Sequence, residues 1–149
     1  MRARRIVTGH AASGRAIVWK DGEVPNPSHP LQGFESALLW VTDEVPADYR
    51  GEEDPAARKL GIAPPQGGTR FSTLEIHPGN QHYMHRTDTI DYVVCIAGPI
   101  DMDLDGGEVV TLQSGDVLVQ RGTNHSWVNR GSRPARIAVM LVDAKPKRA

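Results

Sequence analysis

Six histidines mark where chemistry could sit in this chain: His10, His29, His77, His82, His85 and His125. Three of them fall between positions 77 and 85. If the stretch around them is extended, alternation puts Tyr83, His85 and Thr87 on one face and His82 on the other. After a turn near Asp88-Thr89, Asp91, Val93, Cys95 and Ala97 share a face. His125 lies in a second stretch, Gly115 to Asn129. Were His85, Asp91 and His125 to converge, they would offer two imidazoles and one carboxylate. That set leaves open positions on Fe(II) or a similar divalent ion. The alternative is a histidine-lined pocket that takes an organic ligand without metal. His82 sits at the opposite parity, which reads as surface or packing, and His77 is read the same way. His82 and Tyr83 are nevertheless the groups that could move a proton in a compact pocket. Arg70 could hold a substrate carboxylate from the same cavity, or form a salt bridge at its rim. Tyr83 and Trp127 have the parity to line it, or simply to fill a barrel.

Short strands have to position these groups. Fifteen Gly and 11 Pro punctuate the apolar segments, and no stretch keeps a helical period over a dozen residues. Strands are expected at 4–8, 15–20, 36–42, 70–77, 90–97, 100–104, 108–112, 116–120, 126–129 and 135–143. Strands at such spacing suggest a sandwich or barrel. The clearest hairpin joins Ile100-Asp-Met-Asp-Leu104 to Glu108-Val-Val-Thr-Leu112 through Asp105-Gly106-Gly107, with the positive φ a tight turn needs. Residues 22–33 carry Pro25, Pro27 and Pro30, which excludes a central strand. Residues 46–68 read as a loop holding a short helix, with Asp54 as cap, Pro55 at the first position and Gly61 at the end.

The 149 residues suit one domain. Within it, residues 1–67 read as an N-terminal arm with loops and 68–143 as a barrel core. Seventeen Lys and Arg against 18 Asp and Glu give a net charge of −1. No electrostatic footprint for nucleic acid or an anionic membrane follows from that balance. No apolar run approaches the roughly 20 residues of a spanning helix, and Met1-Arg-Ala-Arg-Arg5 is not followed by an apolar leader segment. Cys95 stands alone, which forbids an internal disulfide. Together these give the expectation of a cytoplasmic protein. Gly-x-Ser-x-Gly, P-loop and Gly-x-Gly-x-x-Gly patterns do not occur.

The two stretches resemble the paired motifs of the cupin superfamily. The first family motif is Gly, five residues, His-x-His, three or four residues, Glu, six residues, Gly. Here it runs Gly79, five residues, His85-Arg-Thr87, three residues, Asp91, six residues, Gly98. The second runs from Gly115 through Gly122-Thr123 to His125 and Asn129. Thr87 replaces the family's second His, Asp91 its Glu, and the second motif's Pro has no counterpart. The resemblance implies an all-β cupin fold, a double-stranded β-helix or jelly-roll barrel, preceded by a strand arm. It also implies a divalent metal ion (Fe, Mn, Ni or Zn) held by His85, Asp91 and His125, with Thr87 as a weak oxygen donor or water holder; Thr87, Arg70 and Trp127 are the expected lining of the substrate pocket. A metal-dependent enzyme on a small oxygenated organic molecule follows, of lyase, dehydratase or isomerase type, with a dioxygenase as nearest competitor. The other class is a non-catalytic small-molecule-binding module. The arm strands lack an obvious partner in a minimal barrel, so a homodimer in which the arm extends a neighbouring sheet is expected, the alternative being an arm folded back on its own barrel.

Overall fold

Alternating burial shows how the strands lie. Asp91, Val93 and Cys95 are buried, whereas Tyr92, Val94 and Ile96 between them are exposed. One side of this strand faces the interior and the other faces out. The structure, a computed structural model, describes residues 2–146. Among these the strands are β1 (Arg4–His10), β2 (Ala16–Glu23), β3 (Pro27–Ser28), β4 (Phe34–Thr42), β5 (Thr69–Ile76), β6 (Thr89–Ala97), β7 (Ile100–Leu104), β8 (Val109–Leu112), β9 (Val117–Arg121), β10 (His125–Val128) and β11 (Ala135–Asp143). A six-stranded sheet has the order β3-β4-β5-β11-β6-β9, and a three-stranded sheet the order β10-β7-β8. Every pairing in them is antiparallel. The inner faces share one core, in which Ile76, Cys95, Ile137 and Val93 from the larger sheet meet Ile100 and Met102 from the smaller. This is the expected all-β barrel, and no helix among the described residues is long and apolar enough to cross a membrane.

The turn chemistry read from the sequence is in place. β7 and β8 pair with Ile100 opposite Leu112 and Met102 opposite Val110. Gly107 closes the hairpin at φ 88°. The outward Asp101 and Asp103 are both held by Arg130. Gly98, the last residue of the first motif, is required for a different reason: a Cβ there would lie 2.8 Å from the Leu112 carbonyl oxygen. The proline-rich segment supplies only the two-residue β3, at the sheet edge beside β4, where proline is tolerated.

Two expectations are corrected. The short helix is a single 3-10 turn, Pro55–Ala57, capped as expected by the Asp54 side chain on the Ala56 N–H. It stops early because the Asn26 amide donates to the Ala56 and Arg58 carbonyls, which a longer helix would have used itself. The arm, in turn, has partners within its own chain. β1 and β2 form a two-stranded hairpin. It docks on the outside of β4, where Trp19 meets Trp40 edge-on at 6.3 Å. There the Arg5 guanidinium donates to the Leu39 carbonyl and pairs with Asp54 at 2.5 Å.

Candidate functional site

A cavity of about 220 Å³ opens between the two sheets. Its floor is set by strand register. Arg70 on β5 lies opposite Leu141 on β11, Leu141 lies opposite Asp91 on β6, and Asp91 lies opposite Gln120 on β9. All four line the cavity, as one row across the sheet. With strands about 4.8 Å apart, Arg70 and Asp91 stand roughly 10 Å from each other along that row at backbone level. The next row, Ser72, Val139, Val93 and Leu118, is largely apolar.

The second wall comes from residues 83–87 and from β10. His85 and His125 form an isolated antiparallel bridge, each backbone N–H donating to the other's carbonyl at 3.0 and 2.9 Å. That bridge brings the two imidazoles together, with ring centroids 4.4 Å apart. Tyr83 stacks on His85 at 5.0 Å, and Trp127 meets His125 edge-on at 6.1 Å.

Each imidazole is held by the carbonyl two residues before it: Tyr83 O lies 3.0 Å from Nδ1 of His85, and Thr123 O lies 3.0 Å from Nδ1 of His125. A carbonyl only accepts, so we assign the proton to Nδ1 in both rings and leave Nε2 basic. A metal-binding histidine is commonly fixed this way. The Gln120 amide lies 2.7 Å from the same Nδ1 of His125. Two N–H groups repel, so the Thr123 bond requires Gln120 to present its oxygen there. With the amide nitrogen toward His125, the buried Oε1 has no partner among the described residues, and turning the amide over puts that oxygen on Nδ1.

Burial sets the charge states. It pushes the His125 imidazole down to about 4, with the neighbouring His85 acting in the same direction. His125 is therefore a neutral base at physiological pH. Burial raises the Asp91 carboxyl, against a 2.5 Å hydrogen bond donated by Thr89 and the nearby His85. Thr87 joins the same chain, its hydroxyl 2.6 Å from that of Thr89. Burial also raises the Cys95 thiol, as expected of a packed, inert residue.

Arg70, Tyr83, His85, Thr87, Asp91, His125 and Trp127 all line the cavity. His82 does not, and its expected part in proton transfer is corrected. Its side chain turns the other way and lies 3.5 Å from Asp103, in the ion-pair group of Arg130. Asn129, at the end of the second motif, is structural. Its buried amide donates to the Ile76 and Arg133 carbonyls. Gln120 is the residue the sequence reading missed. Its neighbours Val117 and Val119 suggest an inward apolar face for β9, yet they are 75% and 60% exposed, and Leu118 and Gln120 turn in.

The donors fit a divalent ion in kind: two imidazoles with free Nε2 and one carboxylate. They are not gathered tightly. Among the described residues, the three side chains whose ligand atoms all lie within 4.8 Å of one another are Glu35, Glu75 and His77. These lie outside the cavity, and Arg136 already pairs with Glu75 at 2.6 Å. One ion at the cavity site would require Asp91 and the imidazoles to close by side-chain rotation.

Comparisons with known proteins agree with this architecture. The family described as Cupin domain matches residues 72–142. The chain is 34% identical to phomopsin biosynthesis cluster protein C' of Diaporthe leptostromiformis, over 95% of this chain and 79% of that protein. It is 31% identical to the cupin-domain-containing oxidoreductase virC of Hypocrea virens, over 97% of this chain and 78% of that one. An RmlC-like cupin from Shewanella frigidimarina superposes with a TM-score of 0.53 at 12% identity, over 80% of this chain and 85% of the other. Motif, barrel and relatives converge: the chain belongs to the cupin superfamily.

Proposed function

We propose that this protein is a metal-dependent cupin enzyme acting on a small oxygenated organic molecule, with His85, His125 and Asp91 as the ligands of one divalent ion. The observation that carries this reading is the pair of touching imidazoles, each with Nδ1 held by a backbone carbonyl. A metal bound there would act as a Lewis acid or redox centre toward a substrate oxygen. The names of the relatives, which include oxidoreductases, favour redox chemistry over the lyase type expected from the sequence. The protein's own groups supply the rest. Gln120 orients His125 from behind, and Thr89 steadies the Asp91 carboxylate. Tyr83, stacked on His85 and 40% exposed, stands where its hydroxyl can exchange a proton between substrate and solvent. The lone buried Cys95 supports a reducing, cytoplasmic setting, and a homodimer remains part of the proposal.

Metal analysis of untagged protein is the test. Near-stoichiometric Fe, Mn, Ni or Zn is expected in the wild type. Outer residues around a metal typically cost 10–100-fold in affinity when changed, so His85→Ala and His125→Ala should each lose more than about 100-fold. Wild-type protein without metal affinity would favour the non-catalytic binding module. Two alanine variants that keep full metal would exclude this ligand set.

A further inference from the structure

Three arginines among the described residues are partly buried: Arg5, Arg70 and Arg136. Two have carboxylate partners: Arg5 pairs with Asp54 at 2.5 Å and Arg136 with Glu75 at 2.6 Å. Arg70 differs. Its Nε donates to the Ser72 hydroxyl at 3.1 Å, and its Nη1 donates to the Gly61 and Ile62 carbonyls. Every partner is a neutral oxygen. No carboxylate among the described residues neutralises it, and the two N–H groups on Nη2 are uncommitted. The salt bridge at the cavity rim, one of the two sequence readings of this residue, is not formed. A guanidinium lining an apolar cavity without a counter-charge carries an unrelieved desolvation cost. Burial pulls its proton affinity down with no opposing contribution.

The rest of the cavity has a direction. Asp91, the buried carboxylate, lies two strands along the row that starts at Arg70, with Leu141 between them. Phe34, Leu74, Val139, Leu141 and Trp127 make the walls apolar. An anion entering this space is repelled by Asp91 and attracted by Arg70. Its hydrocarbon part then lies on the apolar wall and its far end approaches His85 and His125.

We propose that the cavity selects small organic carboxylates, binding the carboxylate on Arg70 and the hydrocarbon body against the apolar wall, so that the remainder of the molecule faces the two imidazoles. This rests on the cavity being the substrate site, and it does not require metal to be bound. A planar guanidinium suits a carboxylate better than a point charge would.

The test uses metal-free, full-length protein, so that no ion competes for the carboxylate. The probes are 3-phenylpropionate and its neutral isostere 3-phenylpropionamide, titrated by calorimetry and by quenching of tryptophan fluorescence. The carboxylate is expected to bind about tenfold or more tightly than the amide, because its hydrogen bonds to Arg70 are charge-assisted. In Arg70→Gln that preference should collapse to a ratio of about one while amide affinity stays within about threefold; Arg70→Lys should keep part of it. Arg70 also tethers residues 61 and 62, so the wild-type comparison of the two probes stands on its own if Arg70→Gln does not fold. Equal affinities in the wild type, no binding of either probe at millimolar concentration, or an undiminished preference in folded Arg70→Gln would each overturn the proposal. Metal content, measured separately, decides the enzyme reading whatever the probes do.

Discussion

In the proposed metal site, Thr87 stands where a third imidazole would be offered. Its hydroxyl bonds to Thr89, which donates to Asp91, so it currently helps hold the carboxylate in place. Thr87→His would put a third imidazole on the same wall and release Thr89 from one of its two contacts. Imidazole is a far better ligand than a hydroxyl for Zn, Ni or Fe, and metal affinity should rise by about an order of magnitude or more. Chelator competition reads this directly, and an unchanged dissociation constant would place side chain 87 away from the ion. At this scale the sequence was informative where spacing is rigid. His85, Asp91 and His125 could be picked out because strand parity and the two motifs fix their faces. His82 misled because its chemistry suits catalysis whereas its parity points away. Gln120 was hidden by two exposed valines that mimic a buried face. Arg70's lack of a counter-charge depends on what residues 61, 62 and 72 bring to it, and no local pattern encodes that.

Among the elements, the link between arm and barrel carries the clearest energetic consequence. Arg5 and Asp54 are largely buried, with side chains 9% and 18% exposed. Asp54 also caps the 3-10 turn. Asp54→Ala removes both contacts and leaves the Arg5 charge without its partner. The expected destabilisation is about 3 kcal/mol, at the lower end for breaking a buried pair. Chemical denaturation would measure it, and a loss below about 0.5 kcal/mol, the range of an ordinary surface change, would contradict the reading. The hydrogen bond from Arg5 holds the Asp54 carboxyl below its ordinary range, against a smaller push from burial. The contribution is therefore complete above the unfolded value near 3.9 and fades as pH falls through the lower folded value. In Asp54→Ala that acid-side loss should shrink. Strand positions and the Asp-Gly-Gly hairpin were legible because period-two alternation and turn residues are local signals. The early stop of the 3-10 turn was not, since it depends on Asn26, distant in sequence.

For the whole molecule, the arm no longer argues for a dimer, because β1 and β2 satisfy each other and rest on their own barrel. A different surface does. Val117 and Val119 on β9, Tyr92 and Val94 on β6 and Met140 on β11 are exposed neighbours in register on one sheet face. β9 is also the terminal strand of its sheet, with β6 on one side only. A contiguous apolar face on an open edge suits a two-fold contact with a second copy of the chain. Light scattering at micromolar concentration should give twice the 16.3 kDa of one chain, and Val119→Asp should return it to a monomer. A wild-type monomer would remove the dimer from the proposed function.

The loop between β4 and β5 is fastened at several places, among them Asp54 to Arg5, Ala56 and Arg58 to Asn26, and residues 61 and 62 to Arg70. Its stretch 60–62 forms part of the cavity wall, although no residue of β1 or β2 does. Cutting the first five residues away would leave every cavity-lining side chain in the chain while freeing the Arg5 fastening. Protease nicking within 55–62 should then appear in the shortened protein well before the barrel itself yields.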